Sequence, residues 1–160
     1  MKSRIDIQNA SPGAVRAMLG LQDYVNQSGL ESSLLELVKM RASQINGCAY
    51  CLDLHAREAR AAGESEQRLY LLDAWREAPF YTDRERAALE WTEAVTRVSE
   101  DHVPDAAFEA VSNQFGEEEL VDLTLAIVTI NGWNRLAISF RAEVGAYKPA
   151  PRVRAASGGA

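Results

Sequence analysis

Helix start and stop signals recur along this chain, and no stretch shows the strict apolar–polar alternation of a half-buried strand. Ser11-Pro12 sets a capping residue and a first-turn proline before a helical stretch that Gly29 closes. Leu34–Ile45 has apolar residues at 34, 35, 37, 38, 42 and 45, a helical stripe ended by Asn46-Gly47. Alanine-rich Cys51–Ala62 ends at Gly63, and Ser65–Glu77 follows with Leu69, Leu72 and Trp75 at helical spacing. Thr82 and Glu85 form a capping box before Ala87–Val98. Pro104–Gln114 is a shorter helix, and the last runs from Glu117 to about Val144, with a kink expected at Asn131-Gly132. The pattern predicts an all-α fold of about seven helices.

With 160 residues the chain suits one domain, expected over 1–147, with a flexible basic tail over 148–160 that holds Lys148, Arg152 and Arg154 and no acid. The formal net charge of -6 speaks against a nucleic-acid partner, since such binding rests on a basic face. Leu120–Ile130, the longest apolar stretch, is broken by Asp122, so no membrane span is expected. Met1–Asp6 lacks the apolar core of a secretory leader, and a cytoplasmic location is expected. Residues 120–130 leave little polar face on the last helix, which is covered either within one chain or by a second subunit.

Both cysteines fall within four residues, Cys48-Ala49-Tyr50-Cys51, too close to staple a fold by closing a long loop. At about 100° per residue, a helix starting near Asn46 puts Cys51 about 60° and His55 about 20° from Cys48, on one face. Sulfurs three residues apart at a helix start can reach bonding geometry, and the free N–H groups there favour a thiolate. The helix end favours charge on Cys48, whereas His55, one turn beyond Cys51, favours Cys51 as the reactive thiol. A metal site is not expected, because the chain has two cysteines and two histidines in total and His102 is remote. A thioredoxin-type motif is not expected either, since no strands flank the pair. Glu36 has two readings: partner of Ser33 in a capping box, or a member of a site with the cysteines. Trp133, Asn134 and Arg135 are expected to pin the last helix, and Tyr24, Trp75 and Trp91 to lie in a core or interface.

Glu36, eleven intervening residues, then Cys48-x-x-Cys51-x-x-x-His55 resembles the core pattern of the alkylhydroperoxidase (AhpD-like) proteins of the carboxymuconolactone decarboxylase superfamily. The run 35–48, Asp73-Ala74-Trp75-Arg76 and Asn131-Gly132-Trp133-Asn134-Arg135 extend the likeness over about residues 10–145. The resemblance implies an all-helical domain that oligomerises through apolar helix faces, as a trimer or hexamer. It implies a cysteine-based hydroperoxide reductase without haem, metal or other cofactor. Cys51 would be the peroxidatic thiolate, Cys48 the resolving thiol, and Glu36 and His55 a proton relay; a dithiol donor, such as a dihydrolipoamide-type protein, would reduce the resulting disulfide. The better-studied members carry histidine where this chain has Tyr50, a phenol that can donate a hydrogen bond but not act as a base near neutral pH. Two rival readings are a non-peroxidatic dithiol redox or sensor protein of the same fold, and a lactone decarboxylase-type enzyme. The intact cysteine pair argues against the second. No phosphate-binding glycine loop is present, so direct use of NADPH or flavin is not expected.

Overall fold

A computed structural model describes residues 2–147 and 149; the expected tail, Pro149 apart, lies outside the described residues. These residues form α1 (Ile7–Ala10), α2 (Pro12–Gln27), α3 (Ser32–Asn46), α4 (Ala49–Ala61), α5 (Glu66–Tyr70), a 3-10 turn (Leu72–Ala74), α6 (Asp83–Thr96), α7 (Val98–Asp101), α8 (Asp105–Ser112) and α9 (Glu117–Phe140). The architecture is all-α, with no strand among the described residues. The seven expected helices are present, joined by two single turns too short to show a periodic pattern. One of these, α1, is set by the Asp6 carboxylate, which accepts the N–H groups of Gln8 and Asn9.

Three local expectations need correction. The helix expected over 65–77 stops at Tyr70 and tightens into the 3-10 turn. Asp73 there is drawn to Arg41, and Arg86 gathers the carbonyls of Trp75, Arg76 and Ala78. Long-range polar contacts thus override the local period. The Ser33–Glu36 capping box does not form: α3 starts at Ser32 with Glu31 as its cap, which puts Glu36 two residues past the position that reaches back. Finally, α9 ends at Phe140 rather than near Val144, with Arg141 in a left-handed conformation (φ 56°), and it runs through Asn131 and Gly132 without ending there. Gly132 serves close packing: a Cβ there would stand 2.9 Å from Met18 Cε of α2. The Thr82–Glu85 box forms as expected.

Helix α3 is the axis of the fold, buried continuously from Leu37 to Ser43. On one side Leu34, Leu35 and Val38 pack with Val25, Trp91, Val111, Leu123 and Ile127. On the other, Leu37 and Met40 pack with Leu69, Leu72, Trp75 and Leu89. Each such side chain, fully buried, contributes about 1.5–3 kcal/mol, so α3 is clamped from both faces and the residues it carries are held in place.

A buried ionic node fastens the second face. Glu93 Oε1 accepts from Arg41 Nε and Trp75 Nε1, both at 2.8 Å, and its Oε2 accepts from Arg76 at 2.7 Å. Burial raises the Glu93 pKa, but the bonds from Trp75, Arg76 and Arg41 outweigh it and hold the carboxyl below its ordinary value. Removing one member of such a node strands the other charge, at a cost of about 3–5 kcal/mol. Glu93→Ala is therefore expected to lose that much stability, measured as a shifted midpoint in urea titration.

Helix α9 buries Leu120, Leu123, Ala126, Ile127 and Ile130 within the chain. Val121 and Val128, two turns apart on its other side, remain 67% and 50% exposed. No helix among the described residues is long and apolar enough to cross a membrane.

Candidate active site

The turn between α3 and α4 makes the site. Gly47 (φ 67°) ends α3 in the left-handed conformation that glycine takes without strain, and the Cys48 N–H bonds back to the Ser43 carbonyl at 3.0 Å. Cys48 then caps α4: its sulfur accepts the backbone N–H of Cys51 at 3.4 Å. Two residues thus reverse the chain and lay α4 against α3.

This reversal brings Glu36 of α3 opposite His55 of α4, with Glu36 Oε2 2.9 Å from His55 Nδ1. The other oxygen, Oε1, accepts from Lys39 Nζ, also at 2.9 Å. Burial pushes the Glu36 carboxyl up, yet His55 and Lys39 together hold it below its usual value. It is a fixed carboxylate aligned on the imidazole.

The sulfurs of Cys48 and Cys51 stand 2.6 Å apart, and both are free thiols. They share a small apolar cluster with Ala42 and Ile130, against which Tyr50, Trp133 and Ala137 pack. The hydrogen bond from Cys51 lowers the Cys48 pKa to about 7 against the opposing effect of burial, helped by the Cys51 backbone N–H and the Asn134 amide. Cys51 is raised, because it donates to Cys48, is buried and faces that sulfur's charge. Once the first of the two thiol protons is lost, the other is held between the sulfurs, with the charge on Cys48. Deprotonation is favoured above the Cys48 value and reversed below it. A pH titration of thiolate ultraviolet absorbance should show one thiolate appearing with a midpoint near 7 and the second thiol resisting ionisation well into the alkaline range.

Access divides the pair the other way. Beside the turn lies a cleft of about 840 Å³ whose walls include Glu36, Lys39, Tyr50, Cys51, His55 and Trp133. Cys48 is 1% exposed and forms no part of those walls. Burial raises the Tyr50 pKa, as do the nearby cysteine sulfurs, so its phenol stays protonated and a donor. Among the described residues no hydrogen bond joins His55 to either sulfur, so a proton passing between them needs a bridging molecule in the cleft. No group of three or more His, Cys, Asp or Glu among the described residues is placed to hold a metal ion.

The structure thus brings Glu36, Cys48, Tyr50, Cys51 and His55 into one site, and adds residues not read from the sequence as part of it. Lys39 is the first. The second is an amide cluster: Asn46 donates to Asn131 Oδ1 (2.9 Å) and Asn134 Oδ1 (2.8 Å), and Asn134 donates to Ser43 Oγ (3.0 Å). This ties the end of α3 to α9 behind the sulfurs. Asn134 pins as expected, whereas Trp133 faces the cleft. Trp75 and Trp91 are buried, and Tyr24 is 54% exposed with its hydroxyl on Asp122. The segment 73–76 acts at a distance, by fixing Arg41 and Glu93 beneath α3.

Comparison with known proteins agrees with this architecture. A family profile described as the carboxymuconolactone decarboxylase family matches residues 12–94. The uncharacterised protein YdfG of Bacillus subtilis is 42% identical over 139 residues, covering 87% of this chain and 95% of that one. A crystal structure from Agrobacterium tumefaciens, a protein of unknown function described as a candidate antioxidant defence protein AhpD, superposes with a TM-score of 0.88 at 48% identity. That match covers 91% of this chain and 100% of the other. The alkyl hydroperoxide reductase AhpD of Bradyrhizobium diazoefficiens is 38% identical over 47 residues, 29% of this chain and 26% of its own.

Proposed function

The chain belongs to the carboxymuconolactone decarboxylase family, and from that premise we propose that it is a cysteine-based hydroperoxide reductase of the alkylhydroperoxidase type. The observation that carries this reading is the adjacent thiol pair, one sulfur in the cleft and one behind it, beside the Glu36–His55 pair. Passage of the shared proton from Cys51 to Cys48 leaves the thiolate on the sulfur that a substrate can meet. Cys51 then attacks the terminal oxygen of ROOH: the O–O bond breaks, an S–O bond forms, and RO⁻ leaves. His55, oriented by Glu36, delivers the proton that makes ROH, and the phenol of Tyr50 donates a hydrogen bond to the peroxide oxygen. Cys48 next attacks the Cys51 sulfenic acid, forming the disulfide and releasing water. A dithiol donor, of the dihydrolipoamide type, reduces that disulfide and is itself oxidised to a disulfide.

The intact pair favours this chemistry over the lactone-decarboxylating branch, and turnover with a dithiol donor separates it from a non-catalytic sensor. The reading places the reaction in the cytoplasm, where the reducing pool suits a recycled thiol. Assembly belongs to the same proposal: a second copy of the chain covers the Val121 and Val128 side of α9 in a trimer or hexamer.

The deciding experiment treats the reduced protein with one equivalent of an organic hydroperoxide and follows both cysteines by intact mass spectrometry with thiol alkylation. Rapid stoichiometric conversion to a Cys48–Cys51 disulfide is expected. Two thiols that remain unoxidised would overturn the peroxidase assignment.

A further inference from the structure

The cleft has more to say than its cysteines, through the character of its walls. Away from the sulfurs they are broadly apolar, with Leu19, Leu54, Trp133, Leu136 and Phe140. At about 840 Å³ the space is in the range of cavities that enclose an organic ligand, far larger than hydrogen peroxide needs. The charged residues of the walls are of nearly one sign. Glu36, Glu58, Asp6 and Glu143 are acidic, and Lys39 is the one lysine or arginine of the walls among the described residues. That lysine is 7% exposed, with its ammonium 2.9 Å from Glu36 Oε1, so its charge is already answered. Of the remaining acids, Glu58 accepts the hydroxyl of Tyr147, and Asp6 accepts N–H groups of α1. Both contacts leave the carboxylate charge in place.

We propose that this cleft selects bulky, uncharged organic hydroperoxides and rejects those that carry a carboxylate. The inference rests on the peroxidase reading and adds to it the polarity of the substrate. An entering carboxylate gives up water and finds like charge on the walls, with no unpaired lysine or arginine there among the described residues. An uncharged molecule of the same bulk loses only apolar surface to the walls, which favours binding. When the His55 ring carries the proton it delivers, it shares Glu36 with Lys39, its Nδ1 2.9 Å from that carboxylate, and Asp6, Glu58 and Glu143 still leave the walls acidic.

Three hydroperoxides on one scaffold test this: cumene hydroperoxide, its para-carboxylate, and the methyl ester of that carboxylate, which controls for size. At neutral pH and low salt, kcat/KM for the ester is expected to exceed that for the carboxylate by about tenfold or more. High salt should narrow the gap through screening, as should Glu58→Gln. The corresponding alcohols, which cannot be reduced, are titrated in parallel by calorimetry to read binding alone. A carboxylate that reacts and binds as well as its ester overturns the inference and makes Lys39 an anion anchor. If no hydroperoxide turns over but the alcohols keep the preference for the ester, the peroxidase reading fails and the polarity of the site stands. Equal binding of the two alcohols overturns the inference whatever the activity.

Discussion

Cys51→Ser is expected to reduce hydroperoxide consumption to the uncatalysed background while leaving the fold intact. Serine is close in size to cysteine, and the site is buried, so packing changes little. The chemistry changes entirely, because an alkoxide is not formed near neutral pH and a hydroxyl does not accept oxygen from a peroxide. The paired variant distinguishes the roles. In Cys48→Ser the cleft-facing sulfur remains, so one turnover should proceed and stop at a sulfenic acid that dimedone can trap. Its attack should also slow, since Cys51 loses the neighbour that takes its proton. Rate and adduct mass, measured on both variants, check the assignment. Full activity in the double variant would falsify the thiol mechanism.

The second large effect concerns the imidazole. His55→Ala is expected to slow peroxide reduction by about 10²–10⁴-fold, the range for a general acid–base group. Glu36 acts through His55 and holds the ring by its Nδ1. Glu36→Gln keeps a hydrogen-bonding oxygen but loses the charge that stabilises a protonated ring, so a smaller loss is expected. Glu36→Asp, which keeps the charge, should recover more of the rate than Glu36→Gln, as a purely structural role would not. Stopped-flow rates of thiol oxidation give both readouts, and circular dichroism confirms that each variant folds.

Much of the fold was legible because its signals are local. Ser11-Pro12, Asn46-Gly47 and the Thr82–Glu85 box act within a few residues, and each marks a boundary that the structure keeps within a residue or two. The thiol pair and His55 were legible for the same reason, since three side chains on two turns of one helix have nearly fixed relations. What was not legible depends on partners far along the chain. Lys39 and Asn134 sit in helical stripes like any polar residue, and only folding puts Lys39 beside the Glu36–His55 pair and Asn134 behind the sulfurs. The break after Tyr70 is of the same kind, since Leu69, Leu72 and Trp75 do keep a helical period. The contacts of Asp73 with Arg41 and of Trp75 with Glu93, 32 and 18 residues away, decide against it. Glu36 was ambiguous for a smaller reason: a helix that begins two residues earlier moves its carboxylate from the cap to the site.

The rim of the cleft joins the two ends of the described chain. Arg4 N–H bonds the Phe140 carbonyl at 2.9 Å, Ser3 reaches the same oxygen, and residues 3–8 and 140–147 both contribute to the walls. Contacts spanning some 137 residues of sequence close the longest hydrogen-bonded loop among the described residues, and they involve exposed groups. Such contacts open by fraying, at a small fraction of the free energy that global unfolding needs. Amide exchange should therefore be fast along the rim and slow along α3, with the thiol turn on the slow side. A substrate, or the arm of a reducing partner, meets an entrance that yields in front of sulfurs that do not.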